Sequence, residues 1–210
     1  MSELRKDLIT REWGIISPER ARRPSDFHHK HEAQAVITKN HSVCPFCPGN
    51  ESMTPPEIIA FRKKGAKANS PGWWVRVMPN RFPALMIEGM HNRSEHLIYD
   101  RMDGVGAHEV VVETPDHGKP LSRLDEKQMK EILWAYRERY IDLCNDRRLK
   151  YILVFKNHGK VAGASIEHSH SQLIATPMIP QQVWIKIKGI EQYYDYRDNC
   201  AYCDIVKTES

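Results

Sequence analysis

The stretch "GASIEHSHSQLIATP", residues 163–177, places His168, His170 and Gln172 on alternate positions ahead of a mostly apolar run. Successive side chains of a β-strand point to opposite faces, so these three side chains are predicted to share one face. Ser169 and Ser171 are predicted to point to the other face. The two imidazoles then lie about two strand rises apart, roughly 7 Å, which is close but not in contact. Each histidine can therefore have a chemical task of its own.

Strand-like segments occur on both sides of this stretch. β-branched and aromatic residues are concentrated in them, and Pro, Gly and Asn mark their ends. A loop is predicted at 20–31, where basic residues and histidines show no periodicity. The predicted strands are "WGIIS" at 13–17, two extended runs around a Pro-Asn turn in "WWVRVMPNRFPALMIEG" at 73–89, "HEVVVETP" at 108–115, and a buried strand in "YILVFKNHG" at 151–159.

Two helices complete the predicted architecture. The longer lies within residues 121–148, where apolar side chains recur in steps of three and four. Ser122 and Asp125 are predicted to cap its start. The second helix is "QQVWIKIKGIEQYYDYR", residues 181–197. Because strands predominate, the fold class is predicted to be α+β, an antiparallel sheet with helices packed on it. The predicted buried stripe of the long helix comprises Met129, Ile132, Leu133, Tyr136, Tyr140, Leu143 and Cys144.

Composition limits the classes of partner. The 210 residues correspond to one domain or a large part of one. The formal charge is +4, from 31 basic and 27 acidic residues, which suits an anionic small molecule at least as well as a nucleic acid. No apolar run approaches the ~20 residues of a membrane span, and the N-terminal residues lack the apolar core of a signal peptide. We therefore expect a cytoplasmic location, with neither membrane nor nucleic acid as partner.

The paired histidines allow three interpretations: both bind one metal, one binds metal while the other attacks a substrate, or both are ordinary strand histidines. The C-x-x-C pair Cys44 and Cys47 needs two further ligands to complete a tetrahedral zinc site. His117, on a turn after a strand, and His168 are the candidates. A closed Cys₂His₂ zinc site of these four residues leaves His170 for chemistry. Cys200 and Cys203 form a second C-x-x-C pair, interpreted as two unpaired thiols.

A neutral imidazole is an effective nucleophile toward phosphorus, so His170 is the candidate nucleophile. Gln172, one strand repeat later, could donate an amide N–H to a phosphoryl oxygen. Small and polar residues in "FKNHGKVAGAS" are typical of a phosphate-binding cradle, although a plain hairpin turn would also explain them. The residues in question are Asn157, Gly159, Gly163 and Ser165.

Six motifs occur along the chain in a fixed order: "SPERARRP", "CPFCPGNE", "VMPNRFPAL", "ETPDH", "FKNHGKVAGAS" and "HSHSQ". In this order they resemble the galactose-1-phosphate uridylyltransferase family of the histidine-triad superfamily. The resemblance implies a histidine-triad-like fold and a ping-pong reaction. UDP-glucose, or another nucleoside diphosphate sugar, would transfer its nucleotidyl group to the second histidine of H-x-H, and galactose 1-phosphate would then take that group from the histidine. A homodimer is also implied.

The same resemblance implies a role for each matching residue. His170 is the nucleophile, and Gln172 and Ser165 are placed with it as catalytic residues at the transferred phosphoryl group. Zinc is the implied cofactor, with Cys44, Cys47, His117 and His168 as its ligands. The implied substrate-binding residues are Asn157 and Gly163 at the phosphates, Asn80 and Phe82 at uracil and ribose, and Arg20 and Arg23 near the sugar phosphate.

Two features depart from the family pattern. Ser169 stands where Pro is usual, and "HSHSQ" looks closer to the ADP-glucose phosphorylase branch, in which adenylyl replaces uridylyl. The family usually has two related halves, so residues 1–196 are expected to form the N-terminal nucleotidyltransferase domain and 197–210 the start of a truncated second half. Without that half, the chain is expected to form the nucleotidyl-histidine but to transfer it poorly.

Three rival functions remain open from the residues. The first is a zinc hydrolase in which His168, His170 and a carboxylate hold a catalytic metal. The second is a non-enzymatic nucleotide or nucleic-acid binder that uses the basic segment at 20–31, and the third is a degenerate domain that only packs on a partner. The hydrolase predicts an open coordination position on the metal and loss of activity on chelation, whereas the transferase predicts that chelation loosens the fold and that His170→Ala alone abolishes the chemistry with zinc retained.

Overall fold

The computed structural model describes residues 2–22, 44–159 and 161–210. Within them lie three α-helices: α1 (Glu126–Cys144), α2 (Gln181–Arg197) and α3 (Ala201–Glu209). No helix in these ranges has the length and apolar character needed to cross a membrane. The strands are β1 (Glu3–Lys6), β2 (Trp13–Ile16), β3 (Ile59–Arg62), β4 (Trp73–Pro79), β5 (Ser94–His96), β6 (Tyr99–Asp103), β7 (Ala107–Val112), β8 (Tyr151–Phe155) and β9 (His170–Thr176).

The strands form two sheets. A four-stranded sheet has the order β2-β1-β6-β5, and a five-stranded sheet has the order β3-β4-β7-β9-β8. Adjacent strands are antiparallel throughout both sheets. The predicted α+β class, with an antiparallel sheet and packed helices, is therefore confirmed. In the larger sheet β7 pairs with β9, with Val110 opposite Gln172 and Val112 opposite His170.

Helix α1 packs on one face of the five-stranded sheet, where the largest apolar cluster lies. Leu173 and Ala175 of β9 meet Ile132 and Ala135 of α1 in this cluster. Strand alternation turns His170 and Gln172 to the opposite face. There Val110 and Val112 of β7 pack with Cys44, Phe46 and Cys47 in a second cluster. The helix and the predicted site thus occupy opposite faces of one sheet.

The predicted buried stripe of α1 is only partly right. Ile132 and Leu143 are buried, and Met129 and Tyr136 pack at the margin of the cluster. Three predicted members, Leu133, Tyr140 and Cys144, are exposed. In their place the helix buries Ala135 and Arg139.

Arg139 is buried in α1 because a sheet residue pairs with it. Its Nε and Nη2 donate to the two carboxylate oxygens of Glu109 in β7, at 2.8 and 2.7 Å. A bidentate pair of this kind lets two charges leave water together. Apolar periodicity within the helix carries no information about Glu109. The predicted buried stripe was therefore rotated about the helix axis relative to the observed one.

The helix also begins differently from the prediction. Asp125 is itself the N-cap, and its carboxylate accepts a hydrogen bond from Gln128 N at 2.8 Å. Ser122 lies in a preceding 3₁₀ turn, Leu121–Arg123, rather than at a cap.

Two strand predictions need correction. The second extended run, after the Pro-Asn turn, forms only an isolated bridge between Met86 and Val105. Strand β8 exists as predicted but is half-exposed, with Leu153 and Val154 open to solvent, because it lies at the sheet edge with no strand beyond it among the described residues. Most of the predicted loop at 20–31 lies outside the described residues.

Candidate active site

The cluster predicted as a metal site is assembled on the face of the sheet opposite α1. The ligand atoms of Cys44, Cys47, His117 and His168 all lie within 4.8 Å of one another. Cys44 Sγ and Cys47 Sγ are 3.7 and 3.6 Å from His168 Nδ1, and Cys47 Sγ is 3.4 Å from His117 Nδ1. In a tetrahedral zinc site, sulfur and nitrogen ligands are separated by about 3.6 Å. The four donors therefore fit a metal of this kind.

Hydrogen bonding directs His168 toward the cluster. Its Nε2 lies 2.7 Å from the carbonyl oxygen of Thr114, and a carbonyl can only accept, so Nε2 carries the proton. The lone pair is then on Nδ1, the atom that faces the two sulfurs. This second hydrogen bond is the usual means of setting the tautomer of a metal-binding histidine.

Burial favours the uncharged forms of Cys44, Cys47 and His168. It raises the pKa of the Cys44 thiol to about 12 and also raises the pKa of Cys47. Burial lowers the pKa of His168 to about 4, so the ring is neutral at pH 7. A metal ion must displace thiol protons to bind here.

His170 points away from this cluster, although it is only two residues from His168. Its Nδ1 lies 2.8 Å from the carbonyl oxygen of His168 and donates to it, which places the lone pair on Nε2. The Phe46 ring packs edge-on at 5.2 Å between centroids. His170 is not among the four clustered ligands, so this geometry favours a metal-bound His168 and a chemically separate His170.

A cavity of about 320 Å³ opens beside His170. This volume is at the lower end of the range for small-molecule sites. Arg23 lies outside the described residues, and Asn157, the second residue after β8, is not among the described lining residues. The other seven predicted catalytic and substrate-binding residues line the cavity: Arg20, Asn80, Phe82, Gly163, Ser165, His170 and Gln172.

The cavity wall suits an anion bound to a flat apolar group. Two guanidinium groups, those of Arg20 and Arg81, lie in it, and the described lining residues include no carboxylate. Apolar side chains, including Phe46, Met53 and Ile166, form the remainder. Phosphate would be attracted by the two arginines, and a nucleobase or ribose would find apolar contact nearby.

The loop that carries Ser165 turns at Gly163. The backbone there has φ +79°, in the left-handed region that favours glycine. A Cβ added at this position would have no atom within 4 Å, so the requirement for glycine is conformational rather than steric.

A buried polar network holds the H-x-H segment on the face opposite the cavity. Lys156 Nζ donates to Glu113 Oε2 at 2.6 Å, to Ser169 Oγ at 3.0 Å and to the His170 carbonyl at 2.9 Å. Ser169 Oγ also donates to Glu113 Oε2, at 2.7 Å. Ser169 therefore faces away from the cavity, as alternation predicted.

Sequence reasoning missed residues at the site that include Arg81 of the cavity lining, Phe46 and His108. Phe46 lies within "CPFC" and was treated only as a spacer between ligands. His108 opens the "HEVVVETP" strand, and the same alternation that places Val110 on the site face also places His108 there. No sequence signal connects His108 with Gln172, 64 positions later, to which it is hydrogen-bonded at 2.9 Å.

Fold and site together define an antiparallel α+β domain in which a histidine faces a small cavity beside a cluster of residues that could hold a metal. The chain belongs to the galactose-1-phosphate uridyl transferase family: the family's N-terminal domain matches residues 1–180. This confirms the membership that the six motifs suggested.

Individual relatives include two kinds of enzyme. An ADP-glucose phosphorylase of Arabidopsis thaliana is 38% identical over 96% of this chain and 56% of its own length. A crystal structure of an ADP-glucose phosphorylase from the same plant, with bound ADP-glucose, aligns with TM-score 0.67 at 36% identity, over 97% of this chain and 58% of that one. A solved uridylyltransferase aligns with TM-score 0.73 at 30% identity, over 99% of this chain and 56% of that one. The chain thus spans little more than half the length of these relatives.

Proposed function

We propose that the protein transfers a nucleoside monophosphate from a nucleoside diphosphate sugar through a covalent intermediate on His170. One observation carries the proposal: His170 lines a cavity without described carboxylates, and its Nδ1 is bonded to the His168 carbonyl. That bond leaves Nε2 as the nucleophilic nitrogen. Residues 1–196 would form the catalytic half, and the role of residues 197–210 as the start of a second half stays a prediction.

The chemistry occurs in two displacements. In the first, the Nε2 lone pair attacks the α-phosphorus, an N–P bond forms, and the bond from that phosphorus to the sugar phosphate oxygen breaks. The electron pair leaves with that oxygen. In the second, a phosphate oxygen of the acceptor attacks the same phosphorus and Nε2 regains its lone pair. Throughout, Nδ1–H donates to the His168 carbonyl, which stabilises the positive charge that the ring acquires.

The lining residues stabilise the charge that develops on the phosphoryl oxygens. Arg20 and Arg81 supply positive charge, and the Gln172 amide and Ser165 hydroxyl are hydrogen-bond donors at the reacting group. Phosphoryl transfer depends mainly on such positioning and electrostatic stabilisation. Arg23 and Asn157 are retained as predicted contacts to the sugar phosphate and phosphates.

Zinc is the proposed metal of the Cys₂His₂ cluster. Two thiolates and two imidazoles suit zinc, and four protein ligands leave no position for substrate, which is typical of a structural site. When bound, zinc would join the Cys44–Cys47 knuckle, the turn at His117 and the segment just before β9 that carries His168. The proposed contribution is to hold the strand that presents His170.

UDP-glucose as donor and galactose 1-phosphate as acceptor are the proposed substrates. The family and the uridylyltransferase neighbour support this choice. A second candidate is ADP-glucose as donor, which the 38% identity to an ADP-glucose phosphorylase supports. Ser169, the departure that first suggested adenylyl transfer, donates to Glu113 behind the strand and does not line the cavity. Base selection is therefore assigned to lining residues such as Asn80 and Phe82.

Intact-mass measurement tests the proposal. The zinc-loaded protein is incubated separately with UDP-glucose and ADP-glucose. We expect the mass of one uridylyl or one adenylyl group to be added, and this addition to be missing from His170→Ala. His91→Ala, a half-buried histidine outside the cavity lining, is the matched control and should be labelled like wild type. Absence of any adduct on a folded, zinc-loaded wild type contradicts the proposal.

Turnover and assembly are separate parts of the proposal. Adding galactose 1-phosphate, or inorganic phosphate, after labelling measures whether the group can leave His170. Labelling of His170 and transfer of the group to the acceptor are measured as two separate rates. The homodimer implied by the family is checked by light scattering on the same sample.

A further inference from the structure

His108 is a buried histidine that neither the motif analysis nor the proposed chemistry assigns a role. It lies in β7, is 4% exposed, and its strand pairs directly with the strand that carries Gln172. Its ring nitrogens both make contacts, to different parts of the site. These contacts determine its tautomer and, through it, the orientation of Gln172.

Donors on one side of the ring fix which nitrogen carries the proton. Ala84 N–H donates to His108 Nδ1 at 2.9 Å, and Arg20 Nη1, which can only donate, lies 3.3 Å from the same nitrogen. Nδ1 must therefore be the unprotonated, accepting nitrogen. The proton is on Nε2, which lies 2.9 Å from Gln172 Oε1.

A second donor converges on the same oxygen. Asn80 Oδ1 accepts from Phe82 N at 2.9 Å, so the Asn80 amide nitrogen faces the other way. That nitrogen lies 3.4 Å from Gln172 Oε1 and 3.2 Å from His108 Nε2. Two N–H groups thus meet at one carbonyl oxygen.

The orientation of the Gln172 amide follows from these donors. Turned by 180°, the amide would direct its own N–H groups at two other N–H donors. We infer that His108 is a positioning residue that accepts at Nδ1 and donates from Nε2. Its Nε2–H keeps the Gln172 carbonyl oxygen pointing toward His108, and the Gln172 NH₂ group then faces the phosphoryl group. This inference rests on the proposed function, in which that NH₂ group stabilises the transferred phosphoryl.

The arrangement also explains why histidine occupies this position. The side chain must accept on one edge and donate on the other while remaining uncharged, and neutral imidazole does both. Phenylalanine would fill the space but offer neither contact.

Single-turnover labelling of His170 tests the inference. The zinc-loaded full chain is mixed with UDP-glucose and, separately, ADP-glucose, quenched at intervals and weighed intact. At saturating nucleotide sugar, His108→Phe should slow labelling about 10- to 100-fold, the usual effect of losing such a supporting contact. The concentration for half-maximal rate should change little, because ground-state binding does not depend on the amide orientation. His108→Gln, whose amide reaches the Nε2 position, should restore most of the rate.

A double-variant comparison separates positioning from a structural role. Gln172→Ala removes the group that His108 orients, so His108→Phe should cause no further slowing in that background. Zinc content and thermal unfolding monitor the fold of each variant. If His108→Phe does not fold, His108→Gln is compared with His108→Asn, whose amide reaches only the Nδ1 position and should leave labelling slow.

The outcomes distinguish this inference from the function on which it rests. A wild type that is never labelled overturns both. A labelled wild type overturns the inference alone if His108→Phe is labelled equally fast, if its effect multiplies with that of Gln172→Ala, or if Gln and Asn at position 108 act alike.

Discussion

The Lys156–Glu113 pair offers a quantitative test of how the H-x-H strand is held. Glu113 is fully buried, with a side chain 0% exposed, whereas the Lys156 side chain is 21% exposed. Besides Lys156, Glu113 accepts from the uncharged hydroxyls of Ser169, at 2.7 Å, and Tyr136, at 3.4 Å. Among the described residues, Lys156 is thus the cation that pairs with Glu113.

The two single substitutions should therefore have unequal effects. Lys156→Met leaves a carboxylate in the interior without a countercharge, and we expect a loss of about 3–5 kcal/mol in the free energy of unfolding. Glu113→Gln leaves an ammonium that can still reach water, and we expect a smaller loss of about 1–3 kcal/mol. The double variant has no buried charge, so it should be less destabilised than Lys156→Met alone.

Urea denaturation measures the free energy of unfolding of the wild type, the two single variants and the double variant, each loaded with zinc. The expected coupling energy between the two positions is on the order of 2 kcal/mol, well beyond the deviation of about 0.5 kcal/mol seen for independent sites. Effects that simply add, or a Lys156→Met variant as stable as wild type, would refute the reasoning. Lys150→Met, at an exposed lysine, serves as the matched control and should stay near wild-type stability.

Two further predictions concern the metal cluster and the serine between the histidines. Because burial raises the pKa of Cys44 and Cys47 and lowers that of His168, zinc should displace about two protons near pH 7, one from each thiol, and its affinity should weaken as pH falls. Calorimetry in buffers of different ionisation enthalpy counts those protons, and a count near zero would exclude the thiols as ligands. Ser169→Pro removes the hydroxyl that donates to buried Glu113, so it should lower the free energy of unfolding by about 1–3 kcal/mol. The same variant should leave the ratio of labelling rates with UDP-glucose and ADP-glucose unchanged, and a changed ratio would show that Ser169 influences base selection.

Much of the candidate site could be predicted because it depends on the spacing of residues within one strand, loop or helix. Alternation along one strand is enough to place His170 and Gln172 together and Ser169 behind them. The spacing of Cys44 and Cys47 likewise indicates a metal-binding knuckle without knowledge of the fold. The long helix was recognisable from its period, since the pattern repeats within that segment.

What the sequence by itself determined is therefore the local pattern: which side chains share a strand face, where the long helix lies, and which residues can bind a metal. Only the tertiary structure decided which elements meet. Packing of the Cys44 loop against the sheet brings Cys44 to His168, 124 positions away, and the pairing of β7 with β9 sets His108 beside Gln172. It also buries Arg139, because Glu109 on the neighbouring strand pairs with it. Side-chain periodicity is a property of consecutive residues, whereas register and strand order depend on packing between distant segments, which no single segment encodes.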